Sequence, residues 1–221
     1  MKLNFRNLYG FLFGLSAFIL FGQNGFALEV AFNYQHDFIG VKKCKMCHNK
    51  EKTGKQFDVW KKAKHSKAYL TLSGEKKVAG KYPGNPKAIE LAKKAGVKGL
   101  PHEAQECLIC HSSAFDASKK RLGKSFELDD GVQCERCHGA GNDYKSKKTM
   151  EQITKEFKVS GQKSSKTAVK TGLIKSDKAL CLECHSESIT YKGKQFLNPT
   201  YSKVFNFEEA IKKISHPNPM K

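Results

Sequence analysis

The chain has little of the material that normally builds a protein core. Apolar residues make up 39% of its 221 residues, tryptophan occurs once, and acidic residues number 21 against 40 lysines and arginines. The sequence also lacks a glycine-rich nucleotide-binding motif, a nucleophile elbow and a paired-carboxylate motif. These absences exclude a polytopic membrane protein and leave the common nucleotide-dependent and hydrolytic enzymes without support. They also suggest that something other than side chains fills the core.

The amino terminus is typical of an export signal. Lys2 and Arg6 precede an uncharged apolar stretch at residues 8–22, and a small-x-small pattern ending at Ala27 suits cleavage before Leu28. The alternative is a retained inner-membrane anchor. It is disfavoured because the apolar stretch is shorter than the roughly 20 residues that a membrane-spanning helix needs.

Cleavage at that point leaves a signal peptide, residues 1–27, and one mature domain, residues 28–221, in the periplasm or outside the cell. Because Lys2 and Arg6 leave with the signal, the formal net charge falls from +19 to +17. In an exported protein this surplus favours acidic redox partners, anionic surfaces or small ions over nucleic acid, and we expect no stable membrane insertion. A solvated coat of lysines is the alternative.

All eight cysteines fall in four copies of one motif, Cys-x-x-Cys-His. This motif is the covalent attachment signature of haem c, in which two thiols add to the vinyl groups and the adjacent histidine becomes the proximal ligand of the iron. The copies are Cys44, Cys47 and His48; Cys107, Cys110 and His111; Cys134, Cys137 and His138; and Cys181, Cys184 and His185. The sequence therefore predicts four haems c with their iron.

Zinc sites and disulfides are the alternative uses of paired cysteines. Neither requires a histidine directly after the second cysteine in every copy, whereas haem attachment does. Four porphyrins also supply the apolar core that the side chains lack. We therefore predict a mainly α multihaem cytochrome c fold with long irregular loops and little β, built around four covalently bound haems, and an apoprotein that is largely unstructured.

Four histidines remain for the opposite, distal faces of the four irons: His36, His65, His102 and His216. The competing thioether ligands of the mature chain are Met46, Met150 and Met220, and Met46 lies inside an attachment motif on the proximal side. We therefore prefer bis-histidine ligation over histidine–methionine ligation.

Two of these histidines follow predicted helices. His65 lies near the end of a helix predicted over residues 56–67, in which Trp60 indicates a buried face. His216 follows a helix that Asn206 caps. We expect both to be distal ligands, with a surface histidine and a frayed terminus as the alternatives.

His36 stands eight residues before the first motif in an extended aromatic segment, and His102 stands five residues before the second. A lead-in this short cannot easily wrap around its own haem. We therefore expect each to ligate another haem, and for His36 a haem of a neighbouring subunit is a further option. An ordinary surface histidine is the alternative for both.

The remaining pattern predicts short helices separated by lysine-rich loops. A helix begins at Asn85-Pro86 and stops at Gly96. Short helices cover residues 103–111 and 133–138, and Met150, Ile153 and Phe157 mark an amphipathic helix. We expect a loop over residues 159–171 and a cap at Ser176 for the helix of the fourth motif.

The order of these features resembles the tetrahaem cytochromes c-554, the partner electron carriers of hydroxylamine oxidoreductase, over residues 38–216. The resemblance depends on the flanks of the motifs more than on the motifs. These flanks are Gly40-x-Lys42-Lys43-Cys44, Trp60 followed by His65-Ser66-Lys67-Ala68, Gly139-Ala140-Gly141 after the third motif, and the helix from Phe207 that ends in His216.

The resemblance implies that His65 ligates the third haem together with His138, and that His216 ligates the fourth together with His185. It also implies two stacked haem pairs, the first with the third and the second with the fourth.

The sequence departs from the family at two haems. The family's first haem takes a histidine shortly after the glycines of the third motif, but residues 142–146 contain none, and we choose His36 for this position as a hypothesis. The family prototype also leaves its second haem five-coordinate, whereas here His102 stands nearby.

These observations favour a periplasmic tetrahaem cytochrome that relays single electrons between redox partners and is not an enzyme. One alternative is a small reductase acting on nitric oxide or another nitrogen species at one five-coordinate haem, most plausibly the second. A second is a subunit of an extracellular cytochrome filament joined through His36. A third, a membrane quinol dehydrogenase, requires a retained amino-terminal anchor.

Overall fold

The computed structural model describes residues 28–29, 35–201 and 203–217, so the signal peptide predicted over residues 1–27 lies outside the described residues. Within them the chain forms ten α-helices. These are α1 Val41–His48, α2 Gln56–Lys62, α3 Ala68–Ser73, α4 Pro86–Lys94, α5 Gln105–His111, α6 Cys134–His138, α7 Lys147–Val159, α8 Lys166–Thr171, α9 Lys178–Leu182 and α10 Phe207–Ile214.

The β structure is one small sheet in the order β1-β2-β3, made of Leu28–Glu29, Ser188–Tyr191 and Lys194–Leu197. The first strand pairs parallel to the second, and the second pairs antiparallel to the third. The hairpin turns at Lys192 and Gly193, whose φ angles are 50° and 72°, as a tight two-residue turn requires. The prediction of a mainly helical fold with little β is confirmed.

Local capping signals placed several helices correctly. Asn85 accepts a hydrogen bond from the backbone N–H of Lys87 and starts α4 at the predicted proline. Asn206 accepts from the N–H of Glu209 at the start of α10. The amphipathic helix predicted around Ile153 is α7, and Ile153 is buried. In each case a side chain satisfies an otherwise unpaired N–H of the first turn, or an apolar stripe faces inward.

The single helix predicted over residues 56–67 is wrong. The chain breaks at Ala63, whose ψ of 156° is extended, and continues as a 3₁₀ turn, Lys64–Lys67, and then α3. The break turns the backbone towards the third motif, where Val132 N donates to the His65 carbonyl over 3.0 Å. Trp60 Nε1 also donates to the Val132 carbonyl over 2.8 Å. His65 therefore lies on a turn docked beside the third motif.

The loop predicted over residues 159–171 is also wrong, because its last part forms α8. Ser165 caps α8 by accepting from Ala168 N, and Glu156 of α7 accepts from the N–H and hydroxyl of Thr167 and from the hydroxyl of Ser165. A carboxylate from another helix thus fixes a short polar segment that has no strong local signal. The cap of α9 is Asp177 rather than Ser176, and it accepts from Leu180 N over 2.9 Å.

The side-chain core is divided into small clusters that flank the cysteine motifs. One contains Tyr69, Leu72, Ala88 and Leu108, with Cys107 packed against it. Another contains Ile109, Ile189 and Tyr191, with Cys110 packed against it, and a third contains Phe38, Ala114 and Ala140. The motifs therefore lie between these clusters.

Candidate haem-binding sites

Helices carry the attachment motifs. The first three motifs form all or part of α1, α5 and α6, so the two-residue spacer places both thiols of each motif on one helical turn. In the fourth, α9 includes Cys181 but ends before Cys184 and His185. All eight cysteines are free thiols; Cys47 is exposed and the other seven are partly buried.

Hydrogen bonds join the motifs in two pairs. The N–H of Val41, the first residue of the helix that carries the first motif, donates to the side chain of Gln133 beside the third motif over 2.8 Å. Cys184 Sγ of the fourth motif donates to the carbonyl oxygen of Ile109, in the spacer of the second, over 3.8 Å. The first motif is therefore next to the third, and the second next to the fourth, the same pairs that the resemblance implies for the haems.

Glu135, the first spacer residue of the third motif, fixes the approach to the first motif. Its carboxylate is 2% exposed and accepts from the N–H groups of Ile39, Gly40 and Gly141 over 2.7–2.9 Å. Burial raises its pKa, and the three N–H donors oppose that shift. The adjacent Gln133 accepts from the N–H of Val41, the first residue of α1, over 2.8 Å.

Arg136, the second spacer residue, joins the third motif to the fourth. Its guanidinium lies 2.7 Å from the carboxylate of Glu183 and 3.8 Å from the sulfur of Cys184, and only 12% of its side chain is exposed. The third motif therefore contacts the first through Glu135 and the fourth through Arg136.

The glycine directly after the third motif has a steric reason. Gly139 has a φ of 78°, in the region that favours glycine, and a Cβ there would collide with the carbonyl oxygen of Gly172. Ile174 N donates to the His138 carbonyl over 3.1 Å in the same contact. A side chain at residue 139 would push the segment at residues 172–174 away from His138, the proximal histidine of this motif.

Two of the predicted distal histidines face proximal histidines. The rings of His65 and His185 have centroids 6.0 Å apart, and those of His138 and His216 are 5.9 Å apart. Metal–nitrogen bonds of histidine are about 2 Å long, which puts two imidazoles on opposite sides of one metal ion with ring centres about 6 Å apart. Both spacings fit an iron between the rings.

These partners differ from those implied by the resemblance. His65 faces the proximal histidine of the fourth motif instead of His138, and His216 faces that of the third instead of His185. The reason is the docking of the 3₁₀ turn: the His65 backbone is bound beside the third motif, while its ring points to the fourth.

The histidines of these pairs are held in the neutral form that binds metals. Burial, with smaller contributions from His216 and His48, lowers the pKa of His138 to about 4. Burial is also the main cause of the lowered pKa of His65, with His185 contributing. A neutral imidazole has a lone pair for a metal, whereas an imidazolium has none.

Hydrogen bonds orient two further proximal histidines. His111 Nδ1 lies 2.9 Å from the Ala68 carbonyl oxygen and 3.1 Å from the Thr71 hydroxyl. His48 Nδ1 lies 3.2 Å from the side-chain oxygen of Gln56. A bond at Nδ1 fixes the ring and leaves Nε2 for a metal. The donor set therefore fits haem c at the four motifs.

His36 is bound within its own chain. Its Nδ1 lies 2.7 Å from Asp143 Oδ2, and its ring packs against Gly172. With Arg136 and Glu183 it lines a cavity of about 420 Å³ between the third and fourth motifs. Asp143 belongs to the segment where the resemblance expects the distal histidine of the first haem, so the structure brings His36 to that segment; its ligation stays a prediction.

His102 belongs to a tyrosine cluster. It is 7% exposed, and its ring lies 6.1 Å from the rings of Tyr69 and Tyr82 in edge-on contacts. Its Nδ1 has no hydrogen-bond partner among the described residues. Its ligation also stays a prediction.

Nothing local in the sequence identifies the residues that connect the motifs. Gln133, Glu135 and Arg136 are ordinary polar residues in the sequence, and their partners Val41, Ile39 and Glu183 lie 47–96 residues away along the chain. Only a polar spacer in the third motif, against the more apolar Leu-Ile spacer of the second, hints that it contacts other chain segments.

The described residues contain neither a ligand cluster for a bare metal ion nor a membrane-spanning helix. Within the described residues, no three histidine, cysteine, aspartate or glutamate side chains are grouped as ligands of a bare metal ion would be. Among the helices of that same part, none is long and apolar enough to cross a membrane.

Comparisons with known proteins agree with the resemblance. The family described as Cytochrome c554 and c-prime matches residues 43–139. The chain is also similar to cytochrome c-554 of Nitrosomonas europaea, with 28% identity over 190 residues that cover 80% of this chain and 73% of the relative. No solved structure matches the chain. This family implies haem c, with iron, as the cofactor.

Proposed function

We propose that the protein is a periplasmic tetrahaem c-type cytochrome that carries single electrons between redox partners. The match to the cytochrome c-554 family and the similarity to one of its members support this proposal. Periplasmic location is supported by the sequence features of the amino terminus. The observation that carries the proposal is the placement of two pairs of histidine rings, 5.9 and 6.0 Å apart, beside cysteine motifs.

Each motif holds one haem by two thioethers and one proximal histidine. His185 and His65 would hold the iron at the fourth motif, and His138 and His216 would hold it at the third. We assign His36 to the first motif, because Asp143 holds it beside the segment that the family uses for this ligand.

The contacts between motifs suggest one route for the electron. Gln133, beside the third motif, is bound to Val41 of the helix that carries the first; Arg136 joins the third motif to Glu183 of the fourth; and Cys184 is bound to Ile109 of the second. The haems would then follow each other in the order first, third, fourth and second. The first and second haems are the two ends of this series.

Bound haem supplies an iron that accepts and releases one electron. Burial lowers the pKa of His65, His138, His185 and His216 and so favours the neutral imidazole, and these ligands need not change protonation when the charge of the iron changes. Paired axial histidines also keep other molecules off the iron, which suits an electron carrier.

The test is to express the full chain in a bacterium that attaches haem c and to measure the mass and spectrum of the exported protein. The proposal expects the mass of four haems on a chain starting near residue 28, and a reversible reduction of all of them. A mass with fewer haems, or a chain retained at the membrane with its amino terminus, would contradict it.

A second candidate is a small reductase acting on nitric oxide or another nitrogen species at the second haem. One observation favours this candidate. The His102 ring packs against the rings of Tyr69 and Tyr82, and within the described part of the chain it makes no ring contact with His111, the proximal histidine of the second motif. Electron paramagnetic resonance separates the two candidates. Only low-spin haems and no nitrosyl adduct after reduction favour the carrier, and a high-spin haem that binds nitric oxide favours the reductase.

A further inference from the structure

The first motif is the most accessible of the four. Cys47 is exposed while the other seven cysteines are partly buried. Its neighbour in the spacer, Met46, is 65% exposed, although a methionine is normally an interior residue. A haem held by Cys47 therefore has its thioether edge at the molecular surface.

The chain segment that carries this motif is rich in lysine. Residues 42–67, which follow each other as α1, α2 and the turns around them, contain ten lysines and two acidic residues, Glu51 and Asp58. All ten lysines are exposed. We call these ten lysines the lysine face.

Most of this positive charge is not neutralised within the chain. Lys42 pairs with Glu127, Lys55 pairs with Glu51, and Lys45 lies over the ring of Phe57. The other seven have no ion-pair partner among the described residues: Lys43, Lys50, Lys52, Lys61, Lys62, Lys64 and Lys67. Unpaired like charges repel each other, and an acidic surface placed against them relieves that repulsion.

The first haem is also an end of the proposed series of haems. The segment that enters the first motif is bound to Glu135 and Gln133 at the third, whereas the third has a further contact to the fourth through Arg136. An electron that reaches the first haem therefore has to continue to another protein.

We propose that the lysine face docks an acidic redox protein and that electrons pass between the two proteins through the haem edge at Cys47. This inference rests on the proposed function. In each transfer the first haem iron goes from Fe(II) to Fe(III) while the redox centre of the partner gains one electron, or the reverse, and no bond is formed or broken. The contact is expected to be small and transient, as is usual for redox proteins.

Two matched variants test the proposal. The first reverses four charges of the lysine face, Lys50, Lys52, Lys61 and Lys62→Glu. The control reverses four exposed lysines of α7 and the loop after it, Lys148, Lys155, Lys158 and Lys163→Glu, which gives the same net charge. None of the eight has an ion-pair partner among the described residues.

The probe is a gold electrode covered with a carboxylate-terminated monolayer, which represents an acidic docking surface. The lysine-face variant should exchange electrons with it about tenfold more slowly than wild type, and the control less than twofold more slowly. On a hydroxyl-terminated monolayer both variants should match wild type. Equal slowing by the two quartets, or slowing by the control alone, or no slowing by either, would overturn the proposal.

Two measurements keep the outcome unambiguous. Haem content by mass and the circular dichroism of each variant show that the chain is folded and loaded, and Lys→Gln versions of both quartets replace any variant that is not. A wild-type protein without covalent haem or without a reversible wave refutes the proposed function. A reversible wild type with indistinguishable quartets refutes the lysine face alone.

Discussion

The ring of His65 lies 6.0 Å from that of His185, although its backbone carbonyl is bound by Val132 beside the third motif. The histidine thus reaches from the third motif to the proximal histidine of the fourth. If the iron of the fourth haem lies between the two rings, the 3₁₀ turn that carries His65 couples the third and fourth haems mechanically as well as in space.

The exchange of distal partners can be tested with spin states. His65→Ala and His216→Ala should each turn one low-spin haem high-spin in the electron paramagnetic resonance spectrum of the oxidised protein. In a chain without the fourth attachment site, Cys181→Ala/Cys184→Ala, only the His216 substitution should still do so. The opposite result would restore the partners implied by the resemblance.

His102→Phe serves as the comparison for these variants. If His102 is the distal ligand of the second haem, as a carrier with only low-spin haems requires, this substitution should turn one low-spin haem high-spin. An unchanged spectrum would show that His102 only packs against Tyr69 and Tyr82 and would favour the reductase.

Loss of the Glu135 carboxylate should destabilise the protein strongly. Glu135→Ala leaves three buried N–H groups without a partner, at a cost of about 3 kcal/mol or more in the free energy of unfolding. Urea denaturation of the haem-loaded protein measures this cost. The control is Glu127→Ala, which removes an exposed, solvent-screened ion pair with Lys42 and should cost far less; equal costs would contradict the role of Glu135.

The Arg136–Glu183 pair should show coupling. Arg136→Met leaves a mostly buried carboxylate without its partner and should cost about 3 kcal/mol. The double variant with Glu183→Leu should recover much of that loss, because no unpaired charge remains. Urea denaturation of the two single variants and the double variant provides the cycle, and strictly additive costs would show that the two side chains do not interact.

Acid should release α8 from α7. Hydrogen bonds, first of all from the hydroxyl of Thr167, lower the pKa of Glu156 from 4.5 to about 2 in the folded chain. A carboxyl group with a lowered folded pKa stabilises the fold above its unfolded pKa and loses that contribution as the pH falls towards the folded value. The protection of α8 amides against hydrogen exchange, corrected for the intrinsic exchange rate at each pH, should therefore fall between pH 4.5 and pH 2.

Glu156→Gln should remove most of this pH dependence and speed up exchange of α8 already at neutral pH. The control is Glu151→Gln, five residues earlier on the same helix, which should retain the pH dependence of the wild type. If both variants retain the same acid response, another group is responsible.

The sequence was sufficient where the signal is local. Asn85 and Asn206 cap helices with their own side chains, and the spacing of the cysteine motifs indicated the cofactor without tertiary information. The same local rules failed at Ala63 and in α8. There a backbone contact to Val132 and a carboxylate from α7 outweigh the intrinsic preference of the segment.

The candidate haem sites show the same contrast between local signals and long-range contacts. Counting histidines identified His65 and His216 as candidates for the distal faces, and the structure places both opposite proximal rings. Which proximal ring each one faces depends on how the turn at residues 64–67 docks, and no residue near His65 in sequence encodes that contact. Counting histidines in the sequence therefore identifies the candidate ligands, but it does not identify which two of them face each other.

The spacers of the first and third motifs differ in what constrains them. Lys45 and Met46 are exposed, so in the first motif these two positions are free to change with the surface of whatever protein docks there. Glu135 and Arg136 are enclosed by the chain's own segments. Identical attachment signatures can therefore evolve at different rates within one chain: the first can follow a changing partner, whereas the third can change only together with the segments at residues 39–41 and 183.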